Sequence, residues 1–222
     1  LTSERLRFET PHPATPQAVA ETVAMLVKQI GWLGPIGCGF PAVICNGVAK
    51  SAANIDESWI DTDVAALLSE ATGCPCTVLN DADAAGLAEM RFGCGRGRNG
   101  TVLFLTLGTG IGSALFYNGM LYPNSEFGHL RLKNGIAERY ASAAVREHED
   151  LSWKTWGKRL NKFFALVERI FSPELIIIGG GVSRKHEKFF PHIKVNAELL
   201  PAELRNQAGI IGAACRAADV NG

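Results

Sequence analysis

No apolar run in this 222-residue chain approaches the roughly 20 residues that a membrane helix needs. The opening stretch, LTSERLRFET, lacks the apolar core of a secretory signal. Neither sign of charge is in excess. The 22 basic residues balance 22 acidic ones, which argues against a broad nucleic-acid-binding face. A net figure leaves a local basic groove open. No second cysteine pair accompanies Cys74 and Cys76, and the six cysteines are otherwise scattered, so a zinc site has little support. They read as reduced, mostly buried thiols of a cytoplasmic protein. There is no internal repeat, linker or low-complexity tract.

What is present suits a packed core: 47% of the residues are hydrophobic, and the 24 glycines and 10 prolines fall in turns. The length allows one large domain or two small ones. Segment 4–10 reads as a short strand. Val19, Val23, Leu26, Val27 and Ile30 follow helical spacing after Thr15-Pro16. A strand of small residues ends at Pro41, and a turn and extended piece follow. TDVAALLSEATG is an amphipathic helix closed by Gly73. TVLFLTLGTGIGSALFYNGMLY reads as strand, glycine turn, strand, Asn118-Gly119 hairpin turn and strand. Residues 136–148 and 153–171 read as helices, ELIIIGGGVS as a buried strand entering glycines, and AGIIGAACRAA as a helix of small residues. Strands alternate with helices, so the class is α/β.

Within this frame, VLNDADAAGLAEM places Asn80, Asp81 and Asp83 where a strand meets a helix. Capping explains one such group, Asp83 or Asp81, but not all three. The carboxyl end of a strand in an α/β domain is also where ligands bind. In LTLGTGIGSA, Thr106, Gly108, Thr109, Gly110 and Gly112 form either a phosphate cradle or a tight hairpin. No Lys-Ser/Thr ending makes it a Walker loop. Gly180 and Gly181 follow the strand Leu175–Ile178, where a phosphate approaches closely or a helix packs. In NSEFGHL, Glu126 and His129 suit sugar hydroxyls, a metal fragment or a salt-bridged turn. Glu138 in AERYAS stands at a helix start, where its charge is favourable.

In this order the segments resemble the sugar kinases of the ROK (repressor, open reading frame, kinase) family, within the hexokinase–actin–Hsp70 superfamily. LNDADAAGLAE is similar to the family's sugar-binding and catalytic segment, LGTGIGSALFYNG to its second phosphate loop, and EFGHL to its ExGH motif. AERYAS and IIIGGGVS are similar to the segments that follow. SAANIDESWI, LSWKTWGKRL, GGGVSRK and NQAGIIGAA narrow the resemblance to the branch of polyphosphate glucokinases and polyphosphate/ATP glucomannokinases.

The resemblance implies an actin-like, ribonuclease H-like ATPase fold with two lobes around a cleft. The small lobe is expected over 1–79 with 206–222 packing back on it, and the large lobe over 80–205. Asp81 would be the general base at the sugar 6-hydroxyl. Asn54, Asn80, Glu126, His129 and Glu138 would bind the sugar, and Asp83 would cap or support. Thr106, Gly108, Thr109, Gly110, Gly112, Gly180 and Gly181 would hold phosphate. The implied partners are glucose, inorganic polyphosphate with ATP as a further donor, and Mg²⁺ on the donor phosphates. A homodimer in the cytoplasm, with neither nucleic acid nor membrane as partner, completes the expectation.

Two departures bear on it. LRLKNGIAERYAS lacks the cysteines of the family's zinc segment, so no structural zinc is expected. Family members begin with a strand carrying an Asp-x-Gly-Gly phosphate loop, and Leu1 lies past that point. The first strands and that loop are therefore expected to be missing, and these residues alone to turn over more weakly than a longer chain. An ATP-dependent glucokinase and a non-catalytic sugar-sensing regulator of the same family are the alternative readings. For a polyanion, Arg96, Arg98, Lys133, Lys154, Lys158, Arg159, Lys162, Arg184 and Lys185 are candidate contacts, though exposed helix charges are ordinary.

Overall fold

The computed structural model describes residues 5–53 and 55–221. Two compact units are present, Leu1–Ala85 with Gly209–Gly222, and Gly86–Ala208.

In the first unit, helix α1 (Pro16–Ile30) starts where Thr15 Oγ1 accepts from the Ala18 N–H and stops at Gly31, whose φ is 68°. Proline at the start and glycine at the end suit the two termini. Strand β1 (Ile36–Phe40) is followed by the small hairpin β2 (Ile44–Cys45) and β3 (Val48–Ala49). Helix α2 (Val64–Thr72) is capped by Asp63 and closed by Gly73. Strand β4 (Cys76–Asn80) pairs in parallel with β1, and its last residue stands opposite Phe40. Helix α3 (Asp81–Phe92) begins at the next residue. The core gathers Phe40, Ile44, Trp59, Val64, Leu68 and Val78. Trp59 anchors the chain before α1 by donating from Nε1 to the Ala14 carbonyl at 2.8 Å. The C-terminal helix, Ala208–Asn221, packs through small residues. A Cβ on Gly212 would lie 1.6 Å from the Ala84 carbonyl oxygen, and one on Gly37 would lie 1.8 Å from that of Ala213.

The second unit holds a five-stranded sheet. Strands β5 (Thr101–Leu107), β6 (Ile111–Tyr117) and β7 (Met120–Tyr122) form an antiparallel meander. Asn118 and Gly119, both at positive φ, make its tight turn. The short pair β8 (Arg131–Leu132) and β9 (Gly135–Ile136) leads to helices α4 (Glu138–Ala141), α5 (Ala143–His148) and α6 (Trp153–Phe171). Strand β10 (Leu175–Gly179) inserts beside β5, and β11 (Glu198–Pro201) lies outside it, both parallel to their neighbours. The order is β11-β10-β5-β6-β7. The core fills with Leu103, Leu105, Ile176 and Ile178 from the sheet and Trp156, Leu160, Phe163, Phe164 and Val167 from α6.

Three expectations change. Residues 5–10 form no strand; among the described residues no strand forms a ladder with them, and an extended segment needs a ladder to become one. The helix expected over 136–148 breaks at Ser142, which is extended (ψ 163°) and caps α5 by accepting from the Val145 N–H. Helix α6 packs into the core of its own unit, where Trp156, Leu160, Phe163, Phe164 and Val167 are fully buried. The cysteines are less buried than expected: all six are free, but only Cys74 is fully enclosed and Cys45 is exposed. Cys38 and Cys76 on strands, Cys94 in the turn after α3 and Cys215 on the C-terminal helix are covered only in part. Burial pushes the Cys38 thiol up to about 12, with Cys76 adding to the shift. Burial and the Glu89 carboxylate push Cys94 to about 12. These thiols are not nucleophiles.

Candidate active site

Because β4 runs into α3 without a loop, its last polar residue becomes the helix cap. Asn80 is buried. Its Oδ1 accepts from the Ala82 N–H at 2.8 Å and the Asp83 N–H at 3.2 Å, and its Nδ2 donates to the Ala42 carbonyl at 3.1 Å. Capping of α3 thus falls to Asn80 rather than to Asp83, which is buried within the first turn. The same Ala82 N–H reaches Asp81 Oδ1 at 2.8 Å. Asp81 keeps a face open to solvent, while the protein crowded around the rest raises its carboxyl above the usual aspartate range. Backbone N–H bonds from Ala82 and Asp81 itself act in the other direction. A carboxylate at the end of a strand, oriented by backbone and open on one side, is equipped to take a proton.

In the second unit, β6 organises the polar group around His129. Ser113 Oγ, facing inward from β6, donates to the Ser125 carbonyl and accepts from the Phe127 N–H. A Cβ at Gly128 would lie 2.2 Å from the Ile111 carbonyl oxygen, so only glycine allows the turn to sit against the strand. His129 then stands between two carboxylates, with Nδ1 3.5 Å from Glu126 Oε2 and Nε2 3.7 Å from Glu138 Oε1. Glu138 also accepts from the Ile111 N–H at 3.4 Å. All three polar heads remain partly exposed, so each retains capacity for hydroxyl groups. Among the described residues, no group of three or more His, Cys, Asp or Glu side chains is placed to hold a metal ion.

The glycine segments fall into two settings. Gly108, Thr109 and Gly181 line one cavity of 250 Å³ with Glu147, Trp153 and Lys185. Gly180, at φ 81°, is not part of its lining; a Cβ there would lie 2.5 Å from the Leu107 carbonyl oxygen. Gly110 instead faces Glu138, while Thr106 and Gly112 pair across β5 and β6. Asn54 lies outside the described residues. Sequence reasoning missed Ser113, Glu147 and Trp153 as parts of these sites. Their types signal nothing alone; only the inward pleat of β6 and the folding of α5 and α6 bring them in.

Of the candidate cations, Lys133, Arg159 and Lys162 gather over the Tyr140 ring at 4.5, 5.0 and 5.9 Å. Burial would raise the Tyr140 phenol, but Lys133 and Lys162 outweigh it and the net shift is downward. Arg159 is held by Glu149 and Arg98 by Glu198. Lys185 reaches the glycine cavity, and Arg184 lines a different one.

The chain is similar to known proteins along nearly its whole length. A polyphosphate glucokinase from Mycobacterium tuberculosis (strain CDC 1551 / Oshkosh) is 46% identical over 215 residues, covering 96% of this chain and 81% of the relative. The crystal structure of an inorganic polyphosphate/ATP-glucomannokinase from Arthrobacter sp. strain KM superposes with a TM-score of 0.94 at 48% identity, covering 100% of this chain and 90% of that one. A ROK family glucokinase from Streptomyces griseus, in complex with glucose and AMPPNP, shares the fold at 23% identity, with a TM-score of 0.79 over 95% of this chain and 90% of that one. The fold is the actin-like ATPase fold of these sugar kinases. The ROK family model matches residues 1–143, and with this likeness along nearly its whole length the chain belongs to the ROK family.

Proposed function

We propose that this protein is a polyphosphate glucokinase, a phosphotransferase that moves the terminal phosphoryl group of inorganic polyphosphate to the 6-hydroxyl of glucose, with ATP as a second donor. The observation that carries the reading is the state of Asp81. It is a solvent-facing carboxylate at the carboxyl end of β4, bonded by backbone N–H groups. Relatives of 46% and 48% identity, one a polyphosphate glucokinase and one a polyphosphate/ATP-glucomannokinase, support the substrate class.

In the reaction, the sugar O6 attacks the terminal phosphorus as its proton passes to Asp81. The new O6–P bond forms while the P–O bond to the rest of the donor breaks. The products are glucose 6-phosphate and a donor one phosphate shorter. Asn80 sets the start of α3 and so the position of Asp81, and its Nδ2 carries a second hydrogen beyond the bond to Ala42. Glu126, His129 and Glu138 bind sugar hydroxyls; several oriented partners reject a sugar that lacks one of them. The backbone at Gly108, Thr109 and Gly181 takes donor phosphate oxygens. Magnesium would ride on the donor phosphates, whose charge it would neutralise, leaving the Asp81 carboxylate to take the O6 proton. A homodimer and a cytoplasmic setting belong to the same proposal and rest on family membership.

The test is formation of glucose 6-phosphate with magnesium, from polyphosphate or ATP, by the full chain and its Asp81→Asn variant. Transfer from polyphosphate that vanishes in the variant is expected. Transfer from ATP alone would move the protein to the ATP-dependent glucokinases. Glucose binding without transfer from either donor would make it a sensor.

A further inference from the structure

The turn Gly181–Lys188 has two working faces. One lines the glycine cavity through Gly181, Val182 and Lys185. The other, through Ser183, Arg184 and His186, lines a separate cavity of 420 Å³ whose far wall is Pro201–Glu203 and Arg205. This second cavity is not absorbed by the sugar-binding or phosphoryl-transfer groups described above. Its charge is unbalanced: Arg184 and Arg205 stand against the single carboxylate of Glu203, and neither arginine forms an ion pair among the described residues.

The far wall is anchored at two points. The Ala202 N–H donates to the Ile178 carbonyl at 2.9 Å, tying the wall to the end of β10. The next anchor is Glu89, a fully buried carboxylate that accepts from the Leu204 N–H at 2.7 Å. A buried acid is costly unless its bonds are specific, and this one fixes the residue before Arg205. Arg205 itself sits at φ 51°, in the left-handed region that arginine rarely occupies. On the near wall, His186 Nδ1 lies 3.1 Å from the Ser183 carbonyl oxygen and the ring meets Phe190 edge-on, so its orientation is set as well.

We propose that Arg184 and Arg205, across this cavity, form a subsite for the distal phosphates of a chain-like polyanionic donor. This rests on the donor class proposed above. The reacting end lies in the glycine cavity, and the chain passes the Gly181–Lys188 turn to reach the two arginines. Arginine suits this task because its planar donors pair with phosphate oxygens two at a time. A short donor that fills only the glycine cavity gains nothing from it. The subsite therefore makes affinity depend on donor length while leaving the chemical step unchanged.

The experiment compares tripolyphosphate, long-chain polyphosphate and ATP as donors for the full chain and for Arg184→Ala, Arg205→Ala, Arg205→Lys and the double alanine variant. Binding of fluorescently labelled long-chain polyphosphate is measured in parallel, without turnover. The expected result is a rise of about tenfold in KM and Kd for the long chain in each alanine variant. KM for tripolyphosphate and glucose and the value of kcat should be unchanged, Arg205→Lys should be intermediate, and the long-chain Kd should lose part of its salt dependence in the double variant. Unchanged long-chain binding would overturn the proposal. An equal loss for tripolyphosphate would overturn it by placing the arginines at the reacting phosphates. A loss confined to ATP would overturn it in favour of a nucleoside pocket. If the wild-type chain transfers nothing from polyphosphate, the proposed function fails. The labelled-chain measurement then still decides the subsite: binding lost in the alanine variants supports it, and no binding overturns it.

Discussion

A side chain at Gly110 would begin 2.5 Å from Oε2 of Glu138. The glycine turn and the carboxylate beside His129 therefore share one space, and the turn's sequence sets where Glu138 points. Gly110→Ala moves the far end of a flexible side chain rather than backbone, so its effect on stability is small, under about 1 kcal/mol. The displaced carboxylate loses its place beside His129. KM for glucose should rise about three- to tenfold, with kcat nearly unchanged, measured against donor at saturation.

Asp81→Asn keeps an acceptor for the Ala82 N–H but cannot take a proton. Turnover should fall by roughly 10²–10⁴-fold, the usual worth of a general base. In the wild type, the acid limb of kcat/KM should lie at higher pH than an unperturbed aspartate would give, because burial raises the Asp81 carboxyl. The stability linkage has the matching sign. With the folded value raised, the cost of the charge is absent below the unfolded value and sets in as pH rises through the folded one. The melting temperature of the variant relative to wild type should therefore climb with pH across that range. A difference flat in pH would remove burial as the cause.

Two glycines of the C-terminal helix should respond in opposite ways. Gly212→Ala drives a Cβ to 1.6 Å from the Ala84 carbonyl oxygen, so backbone must move, at a cost of about 3 kcal/mol. At Gly209 a Cβ meets nothing within 4 Å. Gly209→Ala should stabilise by about 0.5–1 kcal/mol through helix propensity. Urea denaturation of both variants checks the contrast.

Thiol labelling reads the packing around single cysteines directly. Cys45 is exposed and should react first with a small disulfide reagent in the native protein. Cys38 and Cys94, with thiols pushed to about 12, should stay silent up to about pH 10. Early labelling of either would mean that its surroundings open.

Much of this architecture is legible in the chain because local rules and tertiary demands agree. Thr15-Pro16 and Gly31 bound α1, Asp63 and Gly73 bound α2, and Asn118-Gly119 closes the β6–β7 hairpin. Where they disagree, the reading fails. The helical pattern over 136–148 gives no warning that Ser142 would turn extended to cap a new helix. Nor does the chain announce that Trp156 of α6 donates to the Ala141 carbonyl inside the core. Nothing local marks 5–10 as lacking a partner strand.

The amino-acid sequence by itself determined the α/β class, the segments that hold the candidate site residues and the family, since periodicity, turn residues and ordered motifs are properties of neighbours along the chain. Only the tertiary structure decided that Asn80 caps α3, that His129 stands between Glu126 and Glu138, that Gly108 and Gly181 share a cavity, and that buried Glu89 holds the residue before Arg205. These are relations between residues far apart in sequence or shaped by burial. They exist only once backbone hydrogen bonds and close packing have fixed which side chains meet.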